Sequence, residues 1–251
     1  MKALITGASS GIGLDMARYL STKKWELILV ARNKEKLEEI QEQLPTKVKI
    51  VVADLSNEQK VKELYAFAKK ENIDVLINNA GLGNYGYLTD TDINKDLELI
   101  NTNIKALHIL TKYMARDMEG KDTDTYILNV ASAAAFQPGP LMSTYYATKS
   151  YVYQLTEALY YEEKVKNTKV HVSVLCPGPV ETNFNNVANV KFSVKALKST
   201  YVAKYAIDKM LEGKLLIIPG FKMKFARFFG KFVPNKLMLK ITYNIQKKKA
   251  S

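Results

Sequence analysis

The chain has 251 residues, 47% hydrophobic and 25% charged, with one cysteine, Cys176. This length suits a single large α/β domain whose core needs no staple, and a lone cysteine excludes an internal disulfide. The net charge of +12 is lopsided: residues 213–251 carry ten basic side chains and no acid, which leaves about two net charges for everything before them.

Apolar, β-prone runs alternate with helical patterns along the chain. Lys2–Thr6, Glu26–Ala31, Lys49–Ala53, Val75–Asn78, Tyr126–Ala131, Val170–Cys176 and Leu215–Ile218 read as strands. Several are apolar at nearly every position, as strands buried on both faces of a parallel sheet must be. Leu14–Lys23, Lys34–Gln43, Glu58–Lys70, Lys95–Met118, Ser143–Lys166 and Val194–Leu211 read as helices. The alternation predicts an α/β fold, a doubly wound parallel sheet of about seven strands with helices on both faces. Ligands should then sit beyond the carboxyl ends of the strands. The catalytic domain is expected over 1–220, followed by a basic, aromatic extension over 221–251. The first apolar run is too short for a signal-peptide core, and no stretch approaches the ~20 apolar residues of a membrane span. The expected location is cytoplasmic.

The first strand runs straight into Thr6-Gly7-Ala8-Ser9-Ser10-Gly11-Ile12-Gly13 and then a helix. Glycines there permit a tight turn and close backbone approach to a pyrophosphate, which the helix N-terminus also favours. Gly7, Ser9, Ser10, Gly11, Ile12 and Gly13 are therefore candidate cofactor contacts. The second strand ends Leu29-Val30-Ala31-Arg32-Asn33, without the acid that binds a ribose 2′-hydroxyl in NAD sites. A guanidinium at Arg32 suits a 2′-phosphate instead, so the expected cofactor is NADP(H).

Tyr145 and Lys149 stand four residues apart, on one face of a helix. A free phenol has a pKa near 10, too high for efficient proton transfer at neutral pH. An ammonium about 4 Å away favours phenolate by roughly 4 kcal/mol at an effective dielectric of 20, or about three pKa units. One positioned lysine can therefore bring the tyrosine close to physiological pH, before any offsetting desolvation.

With these motifs in order, residues 1–220 resemble the short-chain dehydrogenase/reductase family, with its Rossmann-type fold. The glycine turn matches the family's cofactor motif. Asp54, followed by Leu55, matches the acid that meets the adenine. Asn78-Asn79-Ala80-Gly81 matches the signature after the fourth strand, which lines the cofactor. Asn103 matches the helix asparagine of a proton relay and is preferred to Asn101. Ser132, thirteen residues before Tyr145, matches the catalytic serine. Cys176-Pro177-Gly178-Pro179-Val180-Glu181-Thr182 matches the turn that embraces the nicotinamide end, with Pro177, Gly178, Val180 and Thr182 as contacts.

The resemblance implies hydride transfer between nicotinamide and a carbonyl or alcohol. In it Tyr145 is the acid/base, Ser132 holds the substrate oxygen, and Asn103 supports the relay. Lys149 activates the tyrosine and holds the ribose. The alternatives are an NADP(H)-binding redox sensor without turnover, which the intact Ser132/Tyr145/Lys149 set argues against, and an epimerase or dehydratase. The latter usually carries a longer C-terminal substrate domain. The family's habit of pairing two long helices implies a homodimer or homotetramer.

The substrate pocket is expected from Leu82–Leu88, Ala133–Met142 and, after Thr182, Phe184, Val187, Val190 and Phe192. This lining is largely apolar and implies a hydrophobic ketone, aldehyde or acyl-type substrate. His108, His171 and Cys176 read as structural, with no metal site. The tail from Phe221 to Phe232 interleaves aromatic and basic residues. Two readings stay open for it: peripheral contact with an anionic bilayer, or a pocket flap or oligomer contact whose lysines face water. Nucleic-acid binding is not expected, because the charge is confined to a tail containing many buried-type residues.

Overall fold

The computed structural model describes residues 1–182 and 196–247. The expected pocket residues Phe184, Val187, Val190 and Phe192, the expected helix start at Val194, and the tail residues Lys248 and Lys249 lie outside the described residues.

Seven strands form one parallel sheet: β1 (Lys2–Thr6), β2 (Glu26–Ala31), β3 (Val48–Val52), β4 (Val75–Asn78), β5 (Thr125–Val130), β6 (Val170–Leu175) and β9 (Leu216–Ile217). Their order is β3-β2-β1-β4-β5-β6-β9, and every pairing is parallel. Consecutive strand residues feed opposite layers. Ala3, Ile5, Leu27 and Leu29 join one core with Met16, Leu20, Ile207 and Met210. Leu4, Ile28 and Val30 join the other with Leu64, Leu110, Met114 and Met118. The period-two alternation of a strand is thus spent on two apolar faces, which explains the near-continuous apolar runs.

The helices are α1 (Gly11–Thr22), α2 (Lys34–Gln43), α3 (Glu58–Lys70), α4 (Ile93–Ile100), α5 (Leu107–Glu119) and α6 (Ser143–Lys166). Asn33, Asn57 and Asp92 cap α2, α3 and α4 by accepting from first-turn backbone amides. The helix expected over Lys95–Met118 exists but starts at Ile93 and contains a π-helical segment, Asn101–Ala106, between α4 and α5. Such wide turns are frequent at functional sites.

The helix expected from Val194 begins instead at Ser199, as α7 (Ser199–Leu211). Leu197 and Lys198 form β8, paired in parallel with β7 (Val180–Glu181) in a separate two-stranded sheet. The Leu197 amide donates to the Pro179 carbonyl at 2.9 Å, which holds this stretch extended. The tail folds into α8 (Phe221–Gly230) and α9 (Asn235–Lys247).

The strand order reverses direction between β1 and β4. Crevices at such switch points, beyond the carboxyl ends of the strands, are where open α/β sheets bind ligands. The glycine turn leaves β1 here, and Asn79-Ala80-Gly81 leaves β4 directly beside it.

Candidate active site

The glycine turn is locked onto the end of β4. Gly7 has φ +65°, and a Cβ there would sit 2.8 Å from the Ala80 Cα. At Gly13 a Cβ would meet the Asn79 Nδ2 at 2.4 Å. Only glycine tolerates these approaches. Asn79 reinforces them by donating its side-chain amide to the Thr6 and Gly7 carbonyls at 3.0 and 3.1 Å. The Thr6 hydroxyl accepts from the Asn79 and Ala80 amides, each at 3.0 Å. The Ser10 side chain does not cap α1, whose first turn begins at Gly11. Across the turn stands Thr182: a Cβ on Gly11 would lie 3.1 Å from its Cγ2. Ser9 and Ile12 lie in the same turn and are partly buried.

Buried amides fix the ends of the central strands. Asn78 donates to Asn129 Oδ1 at 2.9 Å and to the Thr111 hydroxyl at 3.0 Å, and Asn129 donates to Thr156 at 3.0 Å. Asn103, in the π-helical segment, accepts from the Leu82 amide at 2.8 Å and donates to the Leu82 carbonyl and to the Thr148 hydroxyl. It is almost wholly buried, whereas Asn101 is partly exposed and makes no such clamp among the described contacts.

Lys149, on α6, is buried and donates its ammonium to the Val130 carbonyl at 2.9 Å. A Cβ on Gly81 would lie 3.2 Å from that ammonium and 3.4 Å from Asn103 Oδ1. Gly81, Lys149 and Asn103 therefore meet at one point. Tyr145 shares a hydrogen bond with Ser132, and its ring centroid lies 5.8 Å from the Lys149 ammonium. Ser132 also caps a 3₁₀ turn over Ala133–Phe136, accepting from the Ala134 amide at 3.1 Å. Residues 145 and 149 on one helix, 132 after β5, and 81 after β4 are thus assembled.

Burial dominates the electrostatics of Tyr145 and Lys149. Burial pushes the Tyr145 phenol up to about 12, outweighing the lowering by its Ser132 hydrogen bond. Burial likewise pulls the Lys149 ammonium down to about 8. In each case desolvation penalises the charged form, phenolate in one group and ammonium in the other.

The outer parts of the expected cofactor cleft are more solvated. The Arg32 guanidinium donates to Glu98 Oε1 at 2.9 Å, an exposed pair whose acid comes from α4. Asp54 accepts from the Ser56 amide and hydroxyl, both at 2.9 Å, which leaves its carboxylate on a turn beside the buried Leu55. The Pro177 carbonyl accepts from Ala133 at 2.8 Å, and Val180 is held in β7. A Cβ on Gly178 would strike the Met223 side chain at 2.8 Å, so α8 sits hard against this turn.

Sequence reasoning missed the contribution of the tail. Gln246, near the end of α9, donates its side-chain amide to the Tyr146 hydroxyl, and the Tyr85 hydroxyl donates to the Gln246 carbonyl at 3.3 Å. Tyr146, Ala134 and Met142 form a buried cluster against which Tyr85 and Tyr145 pack. On α8, Arg227 donates to the Tyr153 hydroxyl at 3.0 Å. Nothing in the local pattern of residues 221–247 marks these as contacts to residues far back in the chain. A cavity of about 550 Å³ is lined by Ala135–Pro140, Ser143, Tyr146, Ala147, Ser150 and Leu239. Ser132, Tyr145 and Lys149 do not line it, although it shares the Ala133–Met142 segment expected at the substrate.

His108, His171 and Cys176 each have neighbours in the fold. The Tyr151 hydroxyl lies 2.7 Å from His108, and His171 pairs with Asp124 and stacks on Tyr126. Burial pushes the Cys176 thiol up to about 12, which suits an inert core residue. Among the described residues no His, Cys, Asp and Glu cluster could hold a metal.

The short chain dehydrogenase family model matches residues 1–191. The chain is a short-chain dehydrogenase. This dehydrogenase is 33% identical over 183 residues to an uncharacterized oxidoreductase of Staphylococcus epidermidis, a match covering 72% of this chain and 78% of that one. Its structure is similar to a short-chain dehydrogenase of Sphingobium yanoikuyae in complex with NADPH, with TM-score 0.83, 26% identity and 92% of each chain covered. It is also similar to a Burkholderia phymatum short-chain dehydrogenase/reductase in complex with NAD, with TM-score 0.83, 25% identity, and 90% of this chain and 91% of that one covered. As an oxidoreductase of this family the dehydrogenase uses a nicotinamide cofactor.

Proposed function

We propose that this dehydrogenase is an NADP(H)-dependent carbonyl/alcohol oxidoreductase acting on an apolar substrate. The reading rests above all on the convergence of Ser132, Tyr145 and Lys149 beside Gly81, at the switch point of the sheet. The cradle fits a dinucleotide: Gly7 and Gly13 let the turn close against Asn79 and Ala80, which sets its backbone and the first turn of α1 at the switch point, where a pyrophosphate is favoured. Gly7–Gly13 would hold the pyrophosphate, Arg32 the 2′-phosphate, Asp54 and Leu55 the adenine end, and Asn79–Gly81 the middle. Lys149, Pro177, Gly178, Val180 and Thr182 would hold the nicotinamide end. When bound, the nicotinamide supplies or accepts the hydride.

The chain's own groups supply the proton and the orientation. The Tyr145 hydroxyl would give its proton to a developing alkoxide when the carbonyl is reduced and take one from the alcohol in the reverse direction. Ser132, already bonded to that phenol, holds the same substrate oxygen. Asn103 keeps Leu82 and Thr148 in place beside Lys149 and leads the relay that restores the proton. The segments Leu82–Leu88 and Ala133–Met142 contain no Arg or Lys to clamp a small acid, which supports an apolar ketone, aldehyde or acyl substrate. Exposed apolar residues on α6, among them Tyr161 and Val165, support pairing of two copies through the long helices into a homodimer or homotetramer.

The test is NADPH oxidation over a panel of apolar and acidic carbonyl compounds, repeated with NADH. Turnover of apolar ketones or aldehydes, with higher kcat/KM for NADPH, is expected. No oxidation with any member of the panel would overturn the reading.

A further inference from the structure

The two tail helices are inside out. On α8 the face turned toward the fold holds Met223, Arg227 and Gly230, while Phe221, Phe225, Phe228 and Phe229 turn outward. Phe221 is 80% exposed, Phe228 58%, and Phe232, just past the helix, 73%. On α9 the fully buried positions are the polar Thr242 and Gln246, at 1% and 0% exposure, with Met238 and Tyr243 half-buried beside them, while Leu237, Ile241 and Ile245 face out. A helix packed on a soluble core ordinarily does the reverse.

The outward rings are also continuous. Phe225 and Phe229 lie 4.2 Å apart between centroids, Phe228 and Phe229 5.2 Å, and Phe228 and Phe232 5.7 Å. Clusters of exposed apolar surface mark interaction sites, unlike scattered single residues. Tyr87 and Leu88, from the loop after β4, widen the patch: both are exposed, and the Tyr87 hydroxyl meets that of Tyr243 on α9 at 3.0 Å.

The charge around this face selects the partner. No acid occurs from 213 to 251, and exposed Lys222, Lys231 and Lys240 flank the aromatic and aliphatic positions. Two copies of such a surface would repel each other. A duplex nucleic acid would satisfy the lysines but leave the phenylalanines in water. An anionic bilayer satisfies both, taking the rings into its headgroup boundary and the lysines at its phosphates. Among the described residues no helix is long and apolar enough to cross a membrane, so the contact is with the surface.

We propose that α8 and α9 dock this protein on an anionic lipid bilayer through their outward apolar faces, with the flanking lysines at the headgroups. Docking does not depend on the reaction proposed above, so its failure leaves that reading intact.

The test is co-sedimentation of the full chain with phosphatidylcholine vesicles, with and without phosphatidylglycerol, at low and high salt. Binding is expected only with phosphatidylglycerol, and it should weaken at high salt. The double variant Phe228→Ser/Phe232→Ser should lose most vesicle binding while its far-UV spectrum and melting temperature hold. Lys222→Glu/Lys231→Glu, which keeps every ring, should weaken binding by about fivefold or more per reversed lysine. If the aromatic variant melts early, the charge reversal and the salt arm decide. Absence of wild-type binding to anionic vesicles, or binding that neither variant weakens, would overturn the proposal. So would retention on duplex DNA without any on vesicles, or variants that only change the size of the protein in gel filtration.

Discussion

Gln246 and Tyr146 are 100 residues apart in sequence, yet the glutamine amide donates to the tyrosine hydroxyl inside the protein, one residue from the candidate acid/base. Both side chains are buried. Through this bond the end of α9 is fastened to the helix that carries Tyr145 and Lys149.

Breaking that bond from one side leaves a buried polar group without its partner. Gln246→Leu and Tyr146→Phe should each cost about 1–3 kcal/mol of unfolding free energy. The double variant should cost less than the sum, because neither partner is then left stranded. Urea unfolding of the four proteins measures the coupling. Additive losses would show that the bond contributes nothing.

Removing the phenolic hydroxyl should separate chemistry from binding. Tyr145→Phe is expected to lower kcat by about 10²- to 10⁴-fold, the usual range for a lost general acid. NADPH affinity, followed by quenching of protein fluorescence, should change little. A variant with full turnover would remove Tyr145 from the proton chemistry.

Burial of Lys149 predicts a pH signature in stability. Its folded pKa is lowered to about 8 from 10.5, so between these values the unfolded chain binds more protons than the folded one. Stability from this group therefore rises with pH across about 8 to 10.5 and is penalised below it. Comparing cofactor-free wild type with Lys149→Met, the difference should move toward wild type by about 2 kcal/mol between pH 7 and pH 10. Tyr145 acts with the opposite sign at higher pH: its raised pKa favours folding below about 10, and that gain is lost as pH climbs toward 12. A flat difference between the two proteins would mean that Lys149 is better solvated than its surroundings suggest.

The exposed Arg32–Glu98 pair sets a competition for the guanidinium. Such pairs are worth about 0–1 kcal/mol, so Glu98→Gln should tighten NADPH by up to about fivefold and leave NADH nearly unchanged. Arg32→Ala should shift the preference toward NADH. Titration of both dinucleotides against the three proteins checks it. Unaltered discrimination in Arg32→Ala would remove this residue from cofactor choice.

Much of the molecule was legible because its signals are local. Apolar runs located seven strands to within a residue or so, since a strand buried on both faces cannot hide its pattern. The glycine turn was placed between β1 and α1 as read, although the contacts that demand Gly7 and Gly13 are with the distant Asn79 and Ala80, and the spacing of Tyr145 and Lys149 placed both on one helix. The start of α7 was misread because Leu197 is held by Pro179 and Val180, which lie too far back to appear in a helical pattern.

Residue identity and order settled the layered fold, the turn that opens the cleft and the groups that share it. Folding in three dimensions decided the rest. It set Tyr145 and Lys149 where desolvation disfavours the charged form of each, gave Arg32 a competitor from α4, and turned the aromatic side of the tail outward with Gln246 inside. Each depends on how much water and which distant neighbour a side chain meets. Those quantities belong to packing, and no linear pattern carries them.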